Sequence, residues 1–371
     1  MTSVAGAGPS WAGPVDTLLI DADVHEPMPQ GHSGRDLIPY LDPHWQRYLS
    51  GNGGMWLGLP NPMSYTSPMV ANALRAEWSD AAEGGVEALR RYVLEEEQVS
   101  IAILNGPVFY PSSMRTDPEF AHALAAAYND YQVEHWLDHE PRLRGSVHVA
   151  AQRPDLAARE IDRVAAHPQI VQVVLPLATH VQWGDPAYQP IWEAAVRNDL
   201  AVAFHHDAAT NTLLGWPRYV IEWHTVAAPH AATNQLMSLI CQGVFDRNPQ
   251  LKVIMLEGGI VWIQWLMWRL DQQYREMHAN IPWVKRLPSE HIRDNVRAAT
   301  QPATEVTPRE FAQLVEMTGT EGVYLFATDY PHYDADSAAV VLPGSLPDEL
   351  RRRVRYENAL ATYPRLAGLL G

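Results

Sequence analysis

The chain has 371 residues, of which 47% are hydrophobic and 19% charged, and its 43 acidic and 27 basic residues give a formal charge of -16. This length and hydrophobic content can bury a large core, which excludes intrinsic disorder and a small disulfide-stapled domain. The single cysteine, Cys241, excludes an internal disulfide and a cysteine-based metal cluster. Any metal site must therefore use His, Asp and Glu side chains.

The distribution of charge excludes further classes of partner. No basic run exceeds the three arginines at 351–353, so we expect neither nucleic acid nor a membrane surface as a partner. The apolar stretch 258–268 is too short to cross a bilayer. Residues 1–15 contain no Lys or Arg and predict a loose tail rather than a secretory signal. Together with the single cysteine, this indicates a cytoplasmic protein.

In chain order, short apolar runs alternate with helical patterns, which is typical of a parallel sheet wrapped by helices. The predicted strands are 18–23, 99–104, 143–149, 170–175, 200–205, 253–257, 296–301 and 323–329. The predicted helices include 118–137, 154–166, 188–198, 230–245 and 261–278. Because eight parallel strands can close on themselves, the sequence predicts an α/β fold of the (β/α)8 TIM-barrel type.

The chain is longer than such a barrel requires. Typical barrels need roughly 250 residues, so about 120 residues must form tail and insertions. We expect the main insertion at about 28–80, where the uncharged stretch 49–74 contains Pro60, Pro62 and Pro68 and cannot form one regular helix. The prediction is a single domain over 16–371, with this insertion running irregularly over the barrel mouth.

Alternation of side chains along the first strand separates two faces. Asp21, Asp23 and His25 share one parity and are expected to face the barrel interior, whereas Ile20 and Ala22 are expected to face the helices. Two carboxylates and an imidazole inside a barrel are costly to bury unless something pairs with them. The first strand therefore predicts a polar site at its carboxyl end.

Three other predicted strands end in the same way. His205 closes the fifth strand above two small alanines, Glu257 closes the sixth, and Asp329 closes the eighth. Barrel active sites lie at this carboxyl end, and imidazole and carboxylate groups are ligands for divalent metals. A strand-end Asp can instead cap a turn, and a buried His can be an ordinary core residue. The joint pattern favours a metal site formed by Asp23, His25, His205 and Asp329.

Four segments contain the candidate site residues: 20–27, 202–205, 251–259 and 326–332, the last of which ends in Thr-Asp-Tyr-Pro-His. They resemble the amidohydrolase superfamily, specifically the amidohydrolase-2 branch that includes aminocarboxymuconate semialdehyde decarboxylase and the hydroxybenzoate-type decarboxylases. The resemblance implies the same four ligands, with Asp329 also accepting a proton. Where most members have a His on the sixth strand, this chain has Glu257, so the role of that His cannot be transferred intact.

Two chemistries and a third alternative remain open at this point. In a hydrolase, metal-activated water would attack an amide, ester or lactone, with Asp329 as general base and acid and Glu257 orienting the water or acting as a fifth ligand. In a decarboxylase, Asp329 would protonate the carbon that loses CO2. We rank hydrolysis first, because Glu257 would repel a substrate carboxylate. The third possibility is a metal-binding barrel without catalysis.

Other polar residues are candidates for contacts with substrate or with the ligands. They are His332, three residues after Asp329; Asp207, just past the fifth strand; Arg297, on the seventh strand, where a salt bridge to Glu305 or Glu310 is the alternative; and His230, expected near a helix N-terminus. His206 has the opposite parity to His205, so we expect it to bond a loop carbonyl. Trp56, Trp183, Trp216 and Trp223 either close over an aromatic substrate or pack the loops.

The cofactor and the assembly follow from the same residues. We expect one divalent metal, with zinc first and manganese or iron as alternatives. The substrate is expected to be a small molecule. The helix after the sixth strand carries Trp262, Trp265, Met267 and Trp268, which bury either against the barrel or against a second subunit, and we expect a homodimer.

Overall fold

The computed structural model describes residues 13–27, 35–51, 75–107, 115–206 and 219–370. Eight parallel strands pair in sequence order, β1 with β2 and so on to β8. The strands are β1 Ile20–Val24, β2 Ile101–Leu104, β3 Leu143–His148, β4 Ile170–Pro176, β5 Ala201–His205, β6 Val253–Met255, β7 Val296–Ala299 and β8 Tyr324–Leu325. Backbone bonds from Ala22 to Phe326 and from Asp329 to Asp23, both 2.9 Å, join β1 to β8. The predicted (β/α)8 barrel is confirmed.

Helices surround this sheet. They are α1 Pro43–Gly51, α2 Ala81–Leu89, α3 Pro118–His135, α4 Pro154–Val164, α5 Gln189–Arg197, α6 Val220–Cys241, α7 Val244–Arg247, α8 Trp262–Met277, α9 Pro288–Asn295, α10 Pro308–Thr318, α11 Ala338–Val341, α12 Asp348–Arg352 and α13 Asn358–Thr362. Several begin with proline in the first turn, where the missing N–H costs nothing. Among the described helices, none is long and apolar enough to span a membrane.

The apolar residues form two clusters that correspond to the two faces of the sheet. One combines strand residues with the surrounding helices. The other combines residues of β1, β2 and β4–β8 with residues 356–366, called the C-terminal segment below, and it fills the barrel interior. It includes Ile20, Ala22, Ile103, Ala203, Leu325, Tyr356 and Tyr363. The C-terminal segment therefore packs against the interior at the end of the barrel opposite the site.

The first strand departs from simple alternation. Its register places Asp21 opposite Ala102 and Val24 opposite Leu104, so β1 contains one residue more than β2 between these two pairs. Such a β-bulge resets which side chains point inward. Ile20 and Ala22 lie in the interior cluster, so their predicted outward orientation is wrong. Asp21 accepts hydrogen bonds from the amide and hydroxyl of Thr328 in the β1–β8 wall.

The expected insertion contains regular structure where the chain is described. A 3-10 helix at Arg35–Tyr40 and α1 pack beside α3, with the hydroxyl of Tyr40 donating to Glu134 at 2.9 Å. The Trp45 ring lies 5.0 Å from that of Phe120. This part therefore covers the outside of the barrel, while residues 52–74 lie outside the described residues.

Two further sequence expectations concern helices α6 and α8. Helix α6 begins at Val220 and runs through Pro229, so His230 lies in its interior rather than near its N-terminus. Proline is common in a first turn, which is why the sequence suggested a start there. In α8, Trp262 and Met267 are buried, whereas Trp265 and Trp268 are about half exposed.

Candidate metal centre

Four side chains converge at the carboxyl ends of β1, β5 and β8. Asp23, His25, His205 and Asp329 each offer one ligand atom within 4.8 Å of the others, and all four are buried. Nε2 of His25 lies 3.2 Å from Oδ1 of Asp329 and 3.4 Å from Oδ1 of Asp23. The rings of His25 and His205 are 4.8 Å apart. These are the four residues that the sequence proposed as ligands.

Hydrogen bonds fix the orientation of both imidazoles. Nδ1 of His25 lies 3.1 Å from the carbonyl oxygen of Gly106, and Nδ1 of His205 lies 2.6 Å from that of His206. A carbonyl can only accept, so each Nδ1 donates, and each Nε2 is left facing the cluster. Carbonyl groups orient metal-binding histidines in this way in other proteins.

The remaining ligand atoms lack hydrogen bonds. In the part of the chain that the structure describes, no hydrogen-bond partner reaches Oδ2 of Asp23, Nε2 of His25, Nε2 of His205 or Oδ2 of Asp329. Buried polar atoms are nearly always bonded, so four orphans on one cluster require an explanation. Two imidazole nitrogens and two carboxylate oxygens fit a divalent metal, with positions left for water or substrate.

A fully bonded polar layer lies directly beneath this cluster. Asn105 donates to Oδ1 of Asp23 at 2.7 Å and to the carbonyl of Ala22 at 3.0 Å. Its own oxygen accepts from Ser146 and from Gln172, and Gln172 in turn accepts from the hydroxyl of Tyr363 at 3.1 Å. A continuous chain of bonds thus runs from the C-terminal segment to a ligand. Sequence analysis missed these residues.

The loop after β1 is held by a buried carboxyl. Glu26 accepts from the amide of Gly106 at 3.1 Å and from the hydroxyl of Tyr128. Gly106 has a φ of +55°, and a Cβ there would meet the Tyr128 ring and hydroxyl. Burial raises the pKa of Glu26 to about 7, against the lowering effect of these bonds. Glu26 and Tyr128 therefore position the carbonyl that orients His25.

Glu257 lies beside the cluster and contacts two imidazoles. Its Oε2 is 3.0 Å from Nε2 of His205 and 2.6 Å from Nε2 of His206. Glu257 and Asp329 both have positive φ, +51° and +62°, in a region that non-glycine residues rarely adopt. Strained conformations of this kind concentrate at functional sites. The predicted bond from His206 to a loop carbonyl is replaced by this contact.

The electrostatics of the cluster follow from burial and from these contacts. Burial raises the pKa of Asp329 well above its ordinary value, and the charge of Glu257 adds to the effect. Burial lowers the pKa of His205, but the contact with Glu257 outweighs it and the net value is about 10. For Glu257 burial acts upward, yet His206 and His205 hold its pKa well below the usual range.

His148, at the end of β3, is a further residue that sequence analysis missed. Within the described ranges neither of its ring nitrogens has a hydrogen-bond partner. Burial, together with the charges of His25 and His205, lowers its pKa to about 3. His148 is thus a neutral imidazole beside the ligands. Its place at a strand end was a signal that the sequence offered.

Of the other predicted contact residues, His332 lies at the cluster and Arg297 lies away from it. Nδ1 of His332 lies 2.8 Å from Oδ1 of Asp329, within hydrogen-bond distance. Arg297 donates to Thr362 of the C-terminal segment at 3.0 Å, so its contacts lie away from the cluster, and Glu305 accepts from the Val261 amide. Three more candidates lie outside the described residues, namely Asp207, Trp56 and Trp216.

Two of the four predicted tryptophans, Trp183 and Trp223, lie within the described residues. Trp183 is buried and donates to the carbonyl of Pro176 at 2.8 Å, which is a packing role. The ring of Trp223 lies 5.2 Å from that of His206. His224, which the sequence analysis did not select, lies 2.9 Å from Oδ2 of Asp334.

Comparison with known proteins identifies the family. A profile described as amidohydrolase matches residues 20–365. This chain belongs to the amidohydrolase family. A relative from Polaromonas sp., gamma-resorcylate decarboxylase, is 24% identical over 311 residues, which cover 77% of this chain and 88% of that protein.

Solved structures of two decarboxylases share the fold. 5-Carboxyvanillate decarboxylase from Sphingomonas paucimobilis has a TM-score of 0.67 and 21% identity, over 94% of this chain and 99% of the other. A dihydroxybenzoic acid decarboxylase from Polaromonas sp., solved with manganese and 2-nitroresorcinol, has a TM-score of 0.67 and 18% identity, over 94% and 97%. The four-residue cluster of this chain supports a divalent metal without singling out zinc.

Proposed function

We propose that the protein is a divalent-metal-dependent, non-oxidative decarboxylase of a small aromatic or unsaturated carboxylic acid. The observation that carries this proposal is the buried convergence of Asp23, His25, His205 and Asp329 with one unbonded ligand atom each. The decarboxylases among its relatives favour this chemistry over the hydrolysis that we ranked first.

Glu257 disfavours decarboxylation only if its negative charge is uncompensated. Two unit charges about 4 Å apart repel by roughly 4 kcal/mol at an effective dielectric constant near 20. Nε2 of His206 lies 2.6 Å from Oε2 of Glu257, so this carboxylate does not face the substrate as an isolated charge. A substrate carboxylate then meets weaker repulsion, and the objection to decarboxylation loses its force.

The ligands and Asp329 have distinct roles in this proposal. Asp23, His25, His205 and Asp329 would hold the cation, which when bound anchors anionic substrate oxygens and withdraws electron density. The bond between the ring carbon and the carboxylate breaks and its electron pair stays on that carbon. The carbon takes the proton of the Asp329 carboxyl, and CO2 leaves. His332, bonded to Asp329, is placed to help restore the proton.

Burial supports this proton transfer. Asp23 and Asp329 are fully buried, and His25 and His205 expose less than a tenth of their surface. A carboxyl group shielded from water keeps its proton until a carbon acceptor is in place. We propose manganese as the first metal to test, since carboxylate oxygens suit it and a related structure contains it. Zinc is the second.

The deciding experiment measures CO2 release by the metal-loaded protein from gamma-resorcylate, 5-carboxyvanillate and other hydroxybenzoates. Amides, esters and lactones are tested for hydrolysis in parallel. We expect CO2 release that requires the metal. Metal-dependent hydrolysis without CO2 release would instead establish the hydrolase alternative. Stable metal binding with neither activity across the panel would favour a non-catalytic barrel.

A further inference from the structure

A second group of metal-type ligands lies beside the first. Ligand atoms of His224, Glu257 and Asp334 lie within 4.8 Å of one another. His224 comes from α6, Glu257 follows β6, and Asp334 follows β8, so only the folded barrel brings the three together. None of them belongs to the group of Asp23, His25, His205 and Asp329.

We propose that His224, Glu257 and Asp334 bind a second divalent cation at the rim of the barrel mouth. Each residue supplies one atom of a type that such cations accept, namely an imidazole nitrogen and two carboxylate oxygens. Three protein ligands leave positions for water or for an anionic substrate group.

Glu257 is the most buried of these three ligands. It is 7% exposed, and among the described residues its Oε2 has no partner with hydrogen-bond geometry, although His205 and His206 are close. Its φ of +51° lies in a region that non-glycine residues rarely adopt and that is enriched at functional sites. Burying an anionic oxygen in this way is costly unless a cation is nearby.

The other two ligands are positioned and accessible. Oδ2 of Asp334 lies 2.9 Å from Nε2 of His224 and accepts from the amide of Gln301 at 3.2 Å. Bonds from outside the ligand set orient metal-binding carboxylates in this manner. The side chains of His224 and Asp334 are 27% and 18% exposed, so a cation can reach them from the mouth.

The competing explanation is an ion pair. A protonated His224 would pair with Asp334 without any metal, just as His167 faces Asp138 at 3.4 Å elsewhere on the molecule. The two explanations differ in the number of cations per chain. They differ also in the effect of removing His224, because an ion pair adds no metal-binding capacity.

The test is the metal content of the full chain after saturation with Mn²⁺ and removal of free metal. We expect about two Mn²⁺ per chain, and about one in His224→Ala and in Asp334→Asn. His167→Ala is the matched control and should keep two. Magnetic coupling between neighbouring Mn²⁺ ions should appear in the paramagnetic resonance spectrum of the wild type and vanish in both variants.

Two outcomes would overturn the proposal. One is a wild type that saturates at one Mn²⁺ per chain. The other is retention of two in both variants, since the second cation would then bind elsewhere. If His224→Ala does not fold, the isosteric Asp334→Asn decides the question alone. Neither outcome bears on decarboxylation, which is judged by CO2 release.

Discussion

Two polar layers lie one above the other in the barrel. The upper layer has side-chain atoms without hydrogen bonds, whereas the side chains of the lower layer are hydrogen-bonded to one another. In the upper layer, Asp23, His25, His205 and Asp329 each keep an atom without a bond among the described residues. In the lower layer, Asn105, Ser146, Gln172 and Tyr363 bond one another. The lower layer contributes order and the upper layer contributes binding capacity. Unbonded atoms are tolerated only where a ligand can compensate them.

The largest expected effect comes from Asp329, in the upper layer. Asp329→Asn keeps the shape but removes both the transferable proton and one anionic metal ligand, so we expect CO2 release to fall by about 10²–10⁴-fold. Asp199→Asn is the matched control, because Asp199 is exposed but also has a positive φ of 54°. Turnover within a few fold of wild type in Asp329→Asn would show that another group supplies the proton.

Asp21 offers a carboxyl two residues from Asp23 that is fully bonded and outside the metal cluster. Burial raises its pKa from 3.8 to about 7, partly offset by the bonds from Thr328 and the Asp23 amide. The folded state therefore binds the Asp21 proton more tightly than the unfolded state does. The stability that this proton contributes is complete below the unfolded pKa of 3.8 and is lost as the pH rises through about 7. Between these two pH values the unfolding free energy should fall by up to about 4 kcal/mol.

Asp21→Asn tests that difference between the two carboxyls. We expect denaturant unfolding of this variant, compared at pH 5 and pH 8, to lose most of the pH dependence attributed to Asp21. Its metal content should equal that of the wild type. Parallel pH profiles for the two proteins would mean that Asp21 does not hold a proton in the fold.

Asn105 joins the two layers, so its loss should weaken the upper layer without removing a ligand. Asn105→Ala leaves Oδ1 of Asp23 without its 2.7 Å donor. We expect metal affinity to fall by roughly 10–100-fold, as for other residues that orient ligands. Titration with Mn²⁺ measures it, with the surface variant Asn198→Ala as control. An unchanged metal affinity would show that the lower layer does not support metal binding by the upper layer.

The smallest effect is expected at the far end of the lower layer. Tyr363→Phe removes one bond to Gln172 and should cost about 1 kcal/mol of unfolding free energy. Tyr356 belongs to the same interior cluster but lies outside this chain of bonds, so Tyr356→Phe is the control. If both variants lose the same unfolding free energy, the bond from Tyr363 to Gln172 does not stabilise the layer more than an ordinary tyrosine hydroxyl would.

The sequence predicted the features that depend on periodicity and on strand ends. Eight apolar runs located the strands, and ionisable residues at the ends of β1, β5 and β8 located the upper layer. Asn105 and His148 occupy equivalent positions after β2 and at the end of β3, so the same rule could have found them. Neutral polar residues were passed over because they suggest no chemistry of their own.

Other features could not follow from a single strand. The bulge in β1 exists only as a difference in count against β2, so alternation within 20–25 assigned Ile20 and Ala22 to the wrong face. The lower layer requires knowing that the C-terminal segment packs into the barrel interior, which no local pattern shows. The contact of Glu257 with His206 likewise depends on backbone torsion at the end of β6.

The bonds from Tyr363 to Asp23 connect the last part of the barrel to its first strand. A ribosome makes Asp23 early, but the support beneath it is complete only after β2, β4 and the C-terminal segment are present. Contacts between segments so distant in sequence form late, because loop-closure entropy opposes them. The rate of tight metal uptake during refolding should therefore report closure of the whole barrel rather than the formation of any one strand.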